Sequence, residues 1–326
     1  MNLQPRLSRR RLLGIGTLLP FAALLEACGG SSRADSSFAV SSTSSSDTPA
    51  PGPAATATPT ATPEPFVVPE GEEQRAMMAG TAQETPLFIF GSGKPGPVLM
   101  VLGGVHGNEP GGWMAAERLV DQLRPATGAL LIIPRANKLA IAQFVRTTDD
   151  LGDLNRLYPG DPNGLPMSRM AYEITRALAE FHATMVLDMH ESWAFYKDRT
   201  PAQGGTAFLG QTVSSPAGPG ETMGEALVGF ENARIQAPDE QFFFRPWPPR
   251  GLEFSTPVAG GPTPTLQPET TGPNAQFGGS RSSLGLPSYV PGLGAILVEM
   301  GQQQALERRV QMHVDLATEL LTRLQA

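Results

Sequence analysis

Two short fragments carry the residue types needed to hold a metal ion. GGVHGNEPGG, at 103–112, puts His106 and Glu109 three residues apart and continues the apolar run PVLMVLGG. LDMHE, at 187–191, puts His190 at the end of a second apolar run, TMVLDMH. Two imidazoles and a carboxylate are a ligand set used by hydrolytic zinc, which takes three protein ligands and keeps a fourth position open. Zinc suits hydrolysis because it brings the pKa of a water to about 7 and polarises the carbonyl under attack. The H-x-x-E spacing is not that of HExxH on a helix, and in a loop no helical period has to be kept. Gly103, Gly104, Gly107, Gly111 and Gly112 offer backbone angles closed to other residues, so the pair can turn back onto one ion.

A lone H-x-x-E is common by chance, and a lone histidine after a strand is more often a satisfied polar residue. The combination weighs more, because two of only four histidines fall at matching strand ends. In open α/β sheets the ligand crevice lies at the carboxyl ends of the strands. His182 and His313 fall in expected helices and read as structural or surface residues. Asp188 either orients a ligand or simply ends a strand. Glu191 adjoins His190 but is expected to point elsewhere.

A third fragment is DLNRLYPG at 153–160, with Arg146 upstream. With PLFIFGSGKPGPVLMVLGGVHGNEPGG, LDMHE and AILVEMG it resembles the zinc carboxypeptidase superfamily, in particular its aspartoacylase and succinylglutamate desuccinylase branch. The motifs run from about residue 86 to the C-terminus, and their order and spacing make the match specific. The resemblance implies one zinc per chain on His106, Glu109 and His190. It implies that Asn155 and Arg156 hold a substrate carboxylate, which suits the planar fork of arginine. It also implies that Glu299 is general base and acid, and that Arg146 stabilises the developing oxyanion.

The elements that must position these residues follow from the hydrophobic pattern. Apolar runs at 87–90, 97–103, 129–134, 184–189 and 295–299 predict strands, and 113–124, 168–182, 221–236 and 303–325 predict helices. In the last helix Leu306, Val310, Ala317, Leu320 and Leu324 form a core-facing stripe. Strands alternating with helices predict an α/β fold, a mainly parallel, mixed sheet sandwiched by helices; the resemblance adds a zinc carboxypeptidase-like topology. Between about 197 and 295 the chain is rich in Gly and Pro and predicts long loops at the rim of the site. Tyr289, Arg250 and Arg281 are candidate substrate contacts there.

Residues 1–27 read as an export signal. Ser8-Arg9-Arg10-Arg11-Leu12-Leu13 is twin-arginine-like, and the apolar stretch from Leu12 to Leu25 is short for a membrane span. Leu25-Glu26-Ala27-Cys28 resembles a lipobox, and Cys28 is the one cysteine in the chain, so no internal disulfide is expected. Residues 28–65, rich in Ser, Thr, Pro and Ala, have too little apolar surface to offset ordering entropy and read as a disordered tether. Residues 66–326 form the expected hydrolase domain, large enough for one core. Segment 1–27 carries a net +3 (four arginines and Glu26), so its removal takes the formal charge from −7 to −10. So acidic a chain is a poor nucleic-acid binder. The partners expected are a membrane, through lipid on Cys28 outside the cytoplasm, and a small-molecule or peptide substrate with a free carboxylate. Two activities compete, an N-acyl amino acid deacylase and a carboxypeptidase. A lipid-tethered binding protein that keeps the fold without the chemistry is the alternative.

Overall fold

The strands that are apolar on every residue occupy the centre of the sheet. The computed structural model describes residues 66–192, 195, 210–247 and 281–326, which belong to one compact unit, Thr62–Ala326. The leader, Cys28, the tether, Arg250 and most of the Gly/Pro-rich stretch lie outside the described residues. Among the described residues eight strands form one sheet in the order β1-β2-β4-β3-β5-β8-β6-β7. They are β1 (Glu70–Met77), β2 (Thr85–Ser92), β3 (Val98–Gly103), β4 (Ala129–Ile133), β5 (Met185–Ser192), β6 (Thr212–Pro216), β7 (Phe243–Trp247) and β8 (Gly294–Gly301). The central four, β4-β3-β5-β8, are parallel; β1, β2 and β6 join antiparallel, and β7 pairs parallel with β6. VLMVLG of β3 and ALLII of β4 are buried throughout, as strands covered on both faces must be.

Among the described residues five α-helices cover the sheet: α1 (Pro110–Gln122), α2 (Lys138–Gln143), α3 (Pro166–Glu180), α4 (Pro219–Asn232) and α5 (Leu306–Leu324). On one face α1, α4 and α5 pack over Leu99, Val101, Leu187 and Val298. On the other, α3 sets Met167, Met170, Ile174 and Leu178 against Met100, Leu102, Val186 and Leu297. Each large apolar side chain so buried contributes about 1.5–3 kcal/mol. Val310, Ala317 and Leu320 of the α5 stripe lie in the core, with Leu306 and Leu324 at its edge. No helix among the described residues is long and apolar enough to cross a membrane.

The connections place a crevice. From β3 the chain crosses by α1 to β4 on one side, then returns by α2 and α3 to β5 on the other side of β3. The switch between β3 and β5 leaves their carboxyl ends facing an open cleft. Strand alternation decides what enters it. On β5, Val186, Asp188 and His190 share the α3 face, and on β8 Ala295, Leu297 and Glu299 share that same face. His190 and Glu299 are register partners across the parallel pair.

Candidate metal centre

His106, Glu109 and His190 are all buried, and one ligand atom from each lies within 4.8 Å of the other two. Glu109 bridges the histidines: Oε1 lies 2.7 Å from His106 Nδ1 and Oε2 lies 2.8 Å from His190 Nδ1. The two Nδ1 atoms are 3.0 Å apart. Each second ring nitrogen has its own carboxylate, His106 Nε2 facing Asp153 Oδ1 at 3.2 Å and His190 Nε2 facing Asp188 Oδ2 at 2.9 Å. Carboxylates at Nε2 draw the ring protons there, which turns both Nδ1 lone pairs onto each other and onto Glu109. Converging acceptors of this kind call for a cation. Two nitrogens and one oxygen, each histidine held by a carboxylate behind it, are a donor set that fits zinc.

The charged groups of the site shift one another. Burial raises the Glu109 pKa, but His106 and His190 override it and hold the carboxyl well below its usual range. Burial likewise disfavours His190 as a cation, yet Asp188 and Glu109 push its pKa well above the ordinary value. Asp153 is held low although burial opposes it, because His106, Arg146 and Arg156 surround it. Glu299, buried beside His190 and Glu109, is pushed up to about 8, chiefly by loss of water. Nearby Glu109 and Asp188 add to that rise, while His190 and Arg146 oppose it.

The remaining sequence-predicted residues gather at the same cleft. Arg146 follows α2; its Nη2 donates to Asp153 Oδ2 at 3.0 Å and its Nη1 lies 3.7 Å from Glu109 Oε1. Its backbone carbonyl accepts from Gly107 N at 3.2 Å, which ties it to the ligand loop. Asn155 sits in the short 3-10 turn Leu154–Arg156, opened by Asp153, whose Oδ1 accepts from Asn155 N. The Asn155 amide is 3.5 Å from His190 Nε2, and its Oδ1 accepts from Ser283 N at 2.9 Å. Arg156 is exposed at the rim, with Nη1 donating to Asn155 O at 2.7 Å.

Some sequence expectations need revision. The glycines serve mostly for space, since only Gly104 of the five has a positive φ, at 69°. At Gly107 an added Cβ would stand 2.1 Å from the Ala140 carbonyl carbon, and at Gly112 it would stand 2.3 Å from Met189 O. Asp188 is the partner of a candidate ligand rather than a mere strand end. Asp153, read only as part of DLNR, plays the same part for His106; its place at the head of a turn, two residues before Asn155, was the available signal. His182 lies just beyond α3, exposed and stacked on Phe66, whereas His313 is fully inside. Burial, with the charges of His190 and Arg309, pushes His313 down to about 3, so it is neutral and structural. Tyr289 and Arg281 flank the turn that packs on β8. Glu191 points to the opposite face, as expected, and binds Arg309.

Residues 95–195 match the Succinylglutamate desuccinylase/Aspartoacylase catalytic domain, the segment holding every candidate metal ligand. The match bears out the resemblance over this segment, which holds GGVHGNEPGG, DLNRLYPG and LDMHE; AILVEMG lies outside it. Over 108 residues the chain is 38% identical to N-alpha-acetyl-L-2,4-diaminobutyric acid deacetylase of Halomonas elongata, covering 32% of this chain and 31% of that protein. The fold is like that of apo Cell Shape Determinant protein Csd4 from Helicobacter pylori, at a TM-score of 0.54 and 18% identity over 78% of this chain and 55% of that one. It is also like product-bound Ectoine utilization protein EutE (DoeB) from Ruegeria pomeroyi, at 0.52 and 17% identity over 78% and 68%. The match thus spans about a third of the curated relative and about half of Csd4.

Proposed function

We propose that this protein is an exported, lipid-anchored, zinc-dependent hydrolase that cleaves an amide bond next to a free carboxylate, and that it is an N-acyl amino acid deacylase. The observation that carries the proposal is the convergence of His106 Nδ1, His190 Nδ1 and the Glu109 carboxylate, with Glu299 as register neighbour of His190. Zinc bound there would supply a Lewis acid for a water and for the scissile carbonyl. Glu299 takes the proton of the attacking water and returns it to the leaving amine. Its pKa of about 8 suits the donating half of that task, and a divalent cation held by His106, Glu109 and His190 would lower it toward the accepting half. Arg146, beside Glu109, stabilises charge developing on the carbonyl oxygen. Arg156 and Asn155 hold the substrate carboxylate and so choose which amide faces Glu299.

The deacylase reading is supported by the catalytic-domain match and by the deacetylase relative. A second reading, removal of a C-terminal residue from a peptide, is supported by the likeness to Csd4, which has also been solved with a tripeptide bound. Export and lipidation rest on the arginine pair, the short apolar core and Cys28. The test is elemental analysis followed by an amine-release screen on N-acyl amino acids and peptides, each as acid and amide. About one zinc per chain and release from the acid forms of N-acyl amino acids are expected. Glu299→Gln should keep the zinc and lose roughly 10²–10⁴-fold in turnover. Equal cleavage of acid and amide would remove the carboxylate role from Arg156, and zinc without any amine release would leave a binding protein.

A further inference from the structure

Directly beneath the metal centre, on the opposite face of the sheet, lies a buried ion pair. Strand alternation turns Glu191 away from its neighbour His190 and into the apolar layer of Met189, Met300, Val310 and Met312. Its side chain is fully buried, and Arg309 of α5 donates through Nη1 to Glu191 Oε1 at 2.5 Å from a side chain only 10% exposed. Burying two charges in such a layer costs desolvation that a well-packed apolar pair avoids. Stability alone is therefore a poor reason for the pair.

Its other contacts supply a better one. The Gly111 amide, in the first turn of α1, faces the Glu191 carboxylate. That helix starts at Pro110 with Glu109 as N-cap and receives no capping bond from its own side chains, because the Glu109 carboxylate is turned to the histidines. The Glu191 carboxylate, held by Arg309, faces the helix start where a capping acceptor would stand. Glu191 N donates to Glu109 Oε2 at 3.2 Å. Gln302, just past β8, donates through Nε2 to Glu191 Oε2 at 3.3 Å and to Asn108 O at 3.1 Å. The loop of His106 and Glu109, the strand end of His190 and the strand end of Glu299 thus meet at one buried carboxylate.

We propose that the Glu191–Arg309 pair, with Gln302, is a positioning device that fixes the Glu109 loop against β5 and β8 in the geometry that metal binding needs. The inference rests on the metal-site reading above, and its test does not depend on knowing the substrate. In the full chain, Glu191→Leu/Arg309→Met removes both charges together. A pair serving only stability should be replaced by this apolar couple with no harm. The expected result is a melting temperature equal to or above wild type with zinc affinity, measured by chelator competition, about 10–100-fold weaker, the range for loss of outer partners of metal ligands. The visible spectrum of the cobalt(II)-loaded double variant should also differ from wild type. Arg309→Lys, which keeps the charge, should recover part of the affinity. Gln302→Ala, at the edge of the core, should weaken zinc several-fold, and it keeps the test open should the double variant not fold. Zinc affinity within about twofold of wild type in a folded double variant, or in Gln302→Ala, would overturn the inference and leave the metal site standing. A wild-type chain that took up no zinc would overturn both.

Discussion

Two imidazole nitrogens 3.0 Å apart, facing a shared carboxylate, leave room for either a proton or a metal ion. In the metal-free protein the proton wins at His190, whose pKa is pushed well above its ordinary value by Asp188 and Glu109 despite burial. Glu299, raised to about 8, also keeps its proton at neutrality. Zinc loading at pH 7 should therefore release about one proton or more, readable as a buffer-dependent heat in calorimetry. The sign for stability follows from the same shifts. The raised His190 pKa contributes stability that is fully present below about 6.5, the unfolded value, and is lost as pH rises through the folded value. Glu299 acts in the same direction, since the folded chain binds a proton up to about pH 8 that the unfolded chain has already lost. The depressed carboxyls Glu109 and Asp153 are constant across this window, while His313, held neutral in the folded chain, adds stability as pH rises through about 6.5, where the unfolded imidazole loses its proton, and offsets one of the two losses there. Metal-free protein should lose stability from pH 6.5 upward, by up to about 1.4 kcal/mol per pH unit for each proton. Zinc-loaded protein should not follow. Melting curves of both forms between pH 6 and 9 check this, and a metal-free form that gains stability over that range would contradict it.

At the scale of elements, the centre depends on how closely the 103–112 loop can approach its neighbours. Gly107 lies against the backbone of α2, where an added Cβ would meet the Ala140 carbonyl carbon at 2.1 Å. Neither backbone can yield cheaply, so Gly107→Ala should destabilise by about 1–3 kcal/mol and weaken zinc binding as well. Gly229, inside α4, has open space where a Cβ would go, and Gly229→Ala should stabilise by about 0.5–1 kcal/mol with zinc affinity unchanged. Denaturant melts and zinc competition on the two variants separate the effects. The elements around this loop were legible because their patterns are strong: five buried strands and four long helices appear where apolar runs and periods place them. The elements that escaped have physical reasons. β1 is an edge strand, EGEEQRAM, whose side chains are nearly all exposed and show no apolar face. β6, TVSSP, is buried yet mostly hydroxylated, and β7, FFRPW, contains a proline that only an edge strand accepts. α2 has six residues, too few for a helical period. In the site, the candidate ligand types and their spacing could be read directly, but the parts played by Asp153 and Arg309 could not. Their partners lie 47 and 118 residues away, and only the folded sheet brings them together.

For the whole molecule, the compact unit Thr62–Ala326 has an N-terminal edge whose contacts can be named. The compact unit runs from Thr62, and Phe66 is its first packed aromatic, with its ring 6.5 Å from Phe181 and stacked 5.0 Å from His182. Val68 also packs against that core. These contacts close the α3 face over the end of the helix, on the side that also buries Ile174 and Leu178. A chain starting at Thr62 keeps them all, and it should match the full chain in melting temperature, zinc content and amine release. A chain starting at Pro69 loses Phe66 and Val68 and should melt several degrees lower, since truncating such apolar contacts costs roughly 1–3 kcal/mol. Location should behave in the opposite way. In cells the Thr62 chain should leave the membrane fraction, and the full-length Cys28→Ser variant should leave it too if a signal peptidase still cuts, while its enzymology stays that of wild type. Membrane partitioning and fatty-acid labelling that are unchanged in Cys28→Ser would contradict an anchor at this residue. A lower melting temperature for the Thr62 chain would mean that the segment before Thr62 contributes to the fold as well as to its location.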